Sequence, residues 1–312
     1  MKVVKRVSIA ILVLIVALVA CYYAFPKQVA GLMVGAARSK AGLTKKAIKI
    51  GDHNIVYVEG GNGPAVLLLH GYTGNKDNWL MFAPYLTKNY HVVIPDLPGY
   101  GESSMNEKDS YDLSNQMSRL HQFVQAIGLK KFHIAGNSMG GQFAGTYAVQ
   151  YPDEILSVGL FNATGVRYPG NSLTKKVMEG GGNEFAIKDM DGMRRMSAFF
   201  FVHPPDFPYP IRQLMFKTYL ANRQFYEKEG KEIFPDFYAL EKDLPNIKAP
   251  AVILWGDQDK VVDISSVPVF EQGLKNHKTI ILKDCGHVPM MEKPQETATQ
   301  YIGFIKEIGK IS

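Results

Sequence analysis

Cysteine is nearly absent from this chain: among 312 residues there are two, Cys21 and Cys285. One lies in an N-terminal apolar run and the other near the C-terminus, so no internal disulfide framework is expected and the redox compartment stays open. No Cys/His cluster has zinc-ligand spacing, and no glycine-rich loop has the spacing that cradles phosphates. Neither a metal nor an organic cofactor is therefore expected. Internal repeats and low-complexity tracts are missing as well. The net charge is +6, but no basic stripe interleaved with aromatics marks a nucleic-acid surface. Much of the excess sits in Lys2, Lys5, Arg6, Lys27, Arg38, Lys40, Lys45 and Lys46. Basic residues flanking an apolar run point to a membrane surface instead.

That run extends over residues 7–25 and is interrupted only by Ser8 and two tyrosines. As a helix it covers roughly 28 Å, close to the hydrocarbon thickness of a bilayer. Three readings compete. In the first it is an uncleaved anchor, with Lys2, Lys5 and Arg6 held in the cytoplasm and everything after it outside. In the second, "LVAC" is a lipobox and Cys21 carries a lipid. Lipoproteins continue into a polar tether, whereas "YYAF" follows here, and Tyr22 and Tyr23 suit a membrane interface. The anchor is therefore the leading reading. A cleavable secretory signal ranks third, because no clear A-x-A site follows the run. Beyond Pro26 a small-residue segment continues as a juxtamembrane helix. Its Gly31 and Gly35 have the spacing that lets two helices approach, which leaves open both a homodimer and a Gly/Ala-rich linker helix without a partner.

From Lys46 onward the pattern is that of strands. "AIKIGDHNIVYVEGG" alternates around Gly51-Asp52 as a hairpin does. Short continuous apolar runs follow: "AVLLLH", "HVVIPD", "FHIAGN", "SVGLFNA" and, much later, "AVILWG" and "TIILKD". Continuous apolarity suits strands covered on both faces, and the helical stretches between them predict a mostly parallel, doubly wound α/β sheet. The alternation stops between about Gly165 and Ile247. The expected organisation is an anchor at 1–27, a juxtamembrane helix at 28–45, a core from 46–164 and 248–312, and a helical cap at 165–247.

The chemistry gathers at strand ends. "GNSMG" fits G-x-S-x-G between a strand and a helix, a turn that would lift the Ser138 hydroxyl to the top of the sheet. The bland alternative is a helix N-cap. A serine nucleophile needs a base, and of the eight histidines only His287, in "KDCGHVPMMEKP" after the last strand, has a fitting place. The base needs a carboxylate to hold its tautomer. "WGDQDK" offers Asp257 and Asp259, and spacing alone does not separate them. An oxyanion needs preorganised backbone donors. Met139 N–H follows the serine, and Tyr72 N–H lies in "HGYTGN", where Gly71 and Gly74 let the loop come close.

Together these motifs resemble the α/β-hydrolase family from about Ile48 to the C-terminus. "HGYTGNKDNW", "DLPGYGES", "GNSMGGQ", "WGDQDKVVD" and "CGHVPMMEKP" stand where that family carries its functional loops. The wording is most similar to monoacylglycerol lipases of the ABHD6 type and to bacterial membrane-anchored lipases and phospholipases A of the PlaF-like group. The resemblance implies an α/β-hydrolase fold with an inserted cap, Ser138 as nucleophile, His287 as base and Asp259 as the acid. It also implies Tyr72 and Met139 as oxyanion donors, and a bacterial inner-membrane protein with its catalytic domain on the periplasmic side.

The expected activity is hydrolysis of lipid esters through an acyl-enzyme, with lipid ester and membrane as partners. The alternatives are a small-ester or carbon–carbon bond hydrolase, and a receptor-like protein that binds without turnover. Phe199, Phe200, Phe201, Phe207, Tyr209, Phe225, Phe234 and Phe237 are the candidate walls of an acyl-sized tunnel under the cap. The anchor reading has a direct check: Cys21→Ser leaves the protein in the carbonate-resistant membrane fraction. Release of that variant would establish lipidation at Cys21 instead.

Overall fold

The structure, a computed structural model, describes residues 2–178 and 187–310. The glycine-rich "EGGGNE" at 179–184 falls outside the described residues. Two helices come first, α1 (Lys2–Ala24) and α2 (Pro26–Lys40). They are separated at Phe25 because Pro26 cannot continue the hydrogen bonding of α1 and is well suited to open α2. Val3–Ala24 is long and apolar enough to cross a membrane, and none of its most apolar stretch is buried in the molecule.

An antiparallel hairpin follows, β1 (Leu43–Ile50) and β2 (His53–Gly60), so strand begins at Leu43, three residues earlier than the sequence pattern suggests. Strands and helices then alternate: β3 (Ala65–Leu69), α3 (Ala83–Leu86), β4 (His91–Pro95), α4 (Leu113–Ala126), β5 (Phe132–Asn137), α5 (Met139–Gln150) and β6 (Ile155–Phe161). The chain leaves the sheet for α6 (Leu173–Met178), α7 (Met190–Phe200) and α8 (Tyr209–Ile233). It returns through β7 (Ala251–Gly256), α9 (Val267–Gly273) and β8 (His277–Leu282), then ends in α10 (Pro289–Glu292) and α11 (Pro294–Ile308).

These eight strands form one sheet in the order β1-β2-β4-β3-β5-β6-β7-β8. Only β1/β2 and β2/β4 pair antiparallel; every other pair is parallel. The expected mostly parallel, doubly wound sheet is what forms. Period-two geometry sends alternate residues of each strand to opposite faces. Leu67, Leu69, Val93, Ile134, Ile253 and Trp255 enter the apolar cluster on one side. Val66, Leu68, Val92, Ala135, Val252 and Leu254 enter the cluster on the other. With both faces covered, these strands could not show the polar alternation of an exposed sheet.

The N-terminal helices are not loosely tethered to this core. Helix α2 packs along α8. The Arg38 guanidinium grips Asp77 with two hydrogen bonds of 2.8 and 2.6 Å. Asp77 lies in the segment that follows β3, so α2 is fastened to the loop region above the sheet. A methyl group placed on Gly31 or Gly35 would meet no neighbouring atom within 4 Å. Among the described residues, then, neither glycine is needed for a close contact within its own chain.

Helix α8 also sends one acid into the core. Glu229 is 0% exposed; it accepts a hydrogen bond from Gln116 at 3.1 Å, with Tyr100 beside it. Burial pushes its carboxyl well above the ordinary 4.5 and so favours the neutral form in the fold. The unfolded chain gives up this proton from about pH 4.5 upward while the folded chain keeps it, so stability falls as pH rises across that interval. Glu229→Gln removes the titration. Measured by urea unfolding between about pH 5 and about pH 8, the variant gains on the parent by up to about 1.4 kcal/mol per pH unit. A constant difference across that range would mean that Glu229 ionises in the folded state as it does in the unfolded one.

Candidate active site

Ser138 links β5 to α5 at φ 58° and ψ −123°, a backbone conformation that side-chain-bearing residues rarely take. The turn is tight enough to exclude neighbouring side chains. A Cβ on Gly136 would fall 2.0 Å from the Gly140 carbonyl oxygen, and one on Gly140 would fall 2.4 Å from that of Leu69. Close approach, rather than positive φ, is what demands glycine at both positions. The Ser138 amide donates to the Phe161 carbonyl at 2.9 Å, tying the turn to β6. Its hydroxyl makes no capping hydrogen bond to α5. The N-cap reading of this serine therefore fails.

His287 and Asp259 meet behind the serine. Imidazole Nδ1 donates to Asp259 Oδ2 at 2.8 Å, and the two side chains are 1% and 0% exposed. A neutral imidazole with its proton on Nδ1 has Nε2 as an acceptor. Asp259 is held from every side. Its Oδ1 accepts from the amides of Val261 and Val262 at 2.8 and 3.0 Å, and Oδ2 also accepts from Asn162 Nδ2 at 2.7 Å. Asp257 points elsewhere, with Oδ1 3.4 Å from the Cys285 amide and Oδ2 3.5 Å from Lys283 Nζ. Asp284 sits on the surface against His203 at 2.7 Å. Only Asp259 of these three carboxylates reaches His287.

The loop after β3 completes one side. His70 is fully buried; Nδ1–H donates to the Gly71 carbonyl at 2.8 Å, and Nε2 accepts from the Leu97 amide at 3.0 Å. Burial lowers its imidazole to about 4, so it is neutral and its tautomer is fixed. Tyr72 and Met139 both line the cavity that contains Ser138 and His287. Met139 opens α5, so its N–H is one of those a helix leaves without an internal acceptor. The Tyr72 hydroxyl donates to the Tyr226 carbonyl at 2.5 Å, joining this loop to α8.

The aromatics of the cap region divide by position. Phe200, Phe234 and Phe237 line the cavity. Phe200 lies 5.6 Å from the His287 ring, and Phe234 lies 5.2 Å from that of Tyr72. Phe199 packs with Met196 and its neighbours on α7, while Phe201 and Phe207 join the second core cluster. Phe225 stands edge-on to Tyr111 at 5.0 Å. Tyr209 meets Tyr23 and Tyr22 of α1 at 5.1 and 6.3 Å. These five residues hold the cap together, or hold it to the core and to α1, and so lie away from the cavity wall.

The cavity that Phe200, Phe234 and Phe237 line has a volume of about 40 Å³ in this structure. Gln142, Thr164, Thr174, Ile233 and Val261 complete its lining. Asn137 and Asn162 are the supporting residues that sequence patterns did not single out. Asn137 Nδ2 donates to the His287 carbonyl at 2.8 Å, and each asparagine stands at or just past a strand end beside the turn. Among the described residues, no group of three or more His, Cys, Asp or Glu side chains could hold a metal ion.

A family model described as alpha/beta hydrolase fold matches residues 64–230 and 218–294. The chain is 33% identical over 288 residues to monoacylglycerol lipase abhd6-B of Xenopus laevis, covering 87% of this chain and 85% of that one. It is 34% identical over 274 residues to lipase 1 of Psychrobacter immobilis, covering 86% of each. The crystal structure of a membrane phospholipase A described as a bacterial virulence factor superposes with a TM-score of 0.89. That structure shares 36% identity and covers 97% of this chain and 99% of its own. With the sheet order, the strained serine turn and these relatives in agreement, the chain belongs to the α/β-hydrolase fold family and is a carboxylic ester hydrolase within it.

Proposed function

We propose that this protein is a membrane-anchored serine hydrolase that releases fatty acids from lipid esters, of the phospholipase A, lysophospholipase or monoacylglycerol lipase type. The observation that carries the reading is an apolar-walled cavity lined by Ser138 and His287, with Asp259 fixed behind the imidazole. Ser138 Oγ attacks the ester carbonyl as its proton passes to His287 Nε2. The Tyr72 and Met139 amides receive the oxyanion, and Asp259 stabilises the imidazolium. His287 then gives the proton to the leaving alcohol. Water, activated by the same imidazole, releases the acid from Ser138.

The lipid part of the reading rests on the apolar anchor and on Phe200, Phe234 and Phe237 at the cavity. It agrees with the names borne by the relatives, two lipases and a membrane phospholipase A. In this reading Lys2, Lys5 and Arg6 stay in the cytoplasm of a bacterium and the hydrolase domain faces the periplasm. Of the basic residues after the anchor, Lys27 and Lys40 remain to face an anionic lipid surface. Arg38, counted with them on sequence grounds, is committed to Asp77 with only 13% of its side chain exposed.

Two experiments test this. Ser138→Ala and His287→Ala each lower ester hydrolysis by about 10⁴ or more, because nucleophile and base act as one unit. Asp259→Asn is similarly severe while Asp257→Asn is mild, and a dead Asp257 variant would overturn the assignment of the acid. The second experiment is kcat/KM on monomeric esters from acetyl to palmitoyl. Each buried methylene adds about 0.8 kcal/mol, so values rise with chain length until the space that the cap can open is full, then fall. A steady decline from acetyl onward would leave a small-ester hydrolase.

A further inference from the structure

The His287 loop is fastened to the cap through main chain, and one carboxylate makes the fastening. Residues 200–203, where α7 ends, lie beside residues 285–287. The His287 amide donates to the Phe200 carbonyl at 2.8 Å. The approach is so close that a Cβ on Gly286 would stand 2.5 Å from that same oxygen. Glu292, at the end of α10, reaches into this junction with both oxygens. Oε1 accepts from the amides of Val202 and His203 at 2.8 and 2.6 Å. Oε2 accepts from the Gly286 amide at 2.8 Å and lies 3.9 Å from the Cys285 thiol.

The geometry points to Glu292 as a positioning residue for His287, acting by locking the 200–203 strap of the cap onto the loop that carries the base. This rests on His287 being the base, as proposed above. Hydrogen bonds from amides to an ionised acceptor are stronger than neutral ones. Here three of them, from two segments about eighty residues apart in sequence, converge on one group. The strap in turn supplies the Phe200 carbonyl that holds the His287 amide, while Asn137 holds the His287 carbonyl from the core side. The His287 backbone is thus gripped by the cap on one side and the sheet on the other. Release of the strap frees the base on the cap side without touching Asp259 or Ser138. The Phe200 ring sits on the same strap and lines the cavity beside His287, so Glu292 also fixes one wall of that cavity.

Glu292→Gln tests the clamp, because an amide has one accepting oxygen and turns an NH₂ group toward the amides of the other segment. On a short soluble ester the expected result is a kcat about 10- to 100-fold lower with KM within about twofold of the parent, the cost of a base displaced by a fraction of an ångström to an ångström. Glu292→Asp retains the charge on a shorter arm and recovers part of the loss. A parental kcat in Glu292→Gln would overturn the proposal. So would equal losses in both variants that follow their melting temperatures, since that is the behaviour of a merely structural residue. If the Gln variant does not fold, the Asp variant decides by the same split of kcat from KM. His287→Ala on the same ester keeps the two readings apart. Turnover in that variant sinks the assignment of the base, whereas a dead His287→Ala beside an unimpaired Glu292→Gln sinks only the clamp.

Discussion

The conformation of one residue governs the rest of this molecule. Holding Ser138 at φ 58° costs of order 1–3 kcal/mol, which the surroundings must offset and over-determine. They do so from three directions. β5 is a central strand, hydrogen-bonded to β3 on one side and β6 on the other. α5 turns back across the strand ends so closely that Gly136 and Gly140 have no room for a methyl group. The Ser138 amide is tied to β6 through Phe161. A central parallel strand gives this turn a foundation that an edge strand, with one ladder of hydrogen bonds, would lack.

The loops above the sheet are wired to one another by charge. Lys76 is almost fully buried, yet its ammonium meets Asp96 at 2.7 Å and Glu102 at 2.8 Å. The Asp96 carboxylate also accepts from the amides of Lys76 and Glu102. Removing one partner from such a buried pair leaves an uncompensated charge, so the cluster resists separation even if it adds little net stability. It joins the loop after β3, which carries Tyr72, to the loop after β4. Arg38 extends the same cluster to α2 by way of Asp77 and Glu102. The segment bearing the proposed oxyanion donor is thus held by His70 from below and by this network from the side.

Much of this was legible in the sequence, for identifiable reasons. Strands buried on both faces are mostly apolar along their length, so β3, β4, β6 and β7 could be read from runs rich in Val, Leu and Ile, and β5 from "FHIAG". The serine turn was legible because glycine is the only residue that its crossing tolerates. Choosing between Asp257 and Asp259 was beyond residue spacing. The choice depends on where the backbone turns after Gly256, and the Val261 and Val262 amides together with Asn162 orient Asp259 inward. The cap was least legible. A phenylalanine has the same sequence signature whether it lines a cavity, as Phe234 does, or docks one element on another, as Phe225 does against Tyr111. Asn162 left no pattern, because it works through Asp259, far away in sequence. Glu292 stood inside the motif "CGHVPMMEKP" with nothing to show that its other partners are Val202 and His203.

Helix α8 explains how the N-terminal helices and the hydrolase core form one object. Its 25 residues run from Tyr209 to Ile233, about 37 Å at 1.5 Å per residue. At its first turn, Tyr209 lies among Tyr22 and Tyr23 at the end of α1. Along its length it carries α2. Near its end Glu229 is buried toward Gln116, the Tyr226 carbonyl takes the Tyr72 hydroxyl, and Ile233 reaches the cavity. A flexible linker would let the apolar helix and the serine vary freely in separation. Here the separation is set by the length of one helix that is packed at both ends, so the cavity stands at a fixed distance from the segment able to cross a membrane.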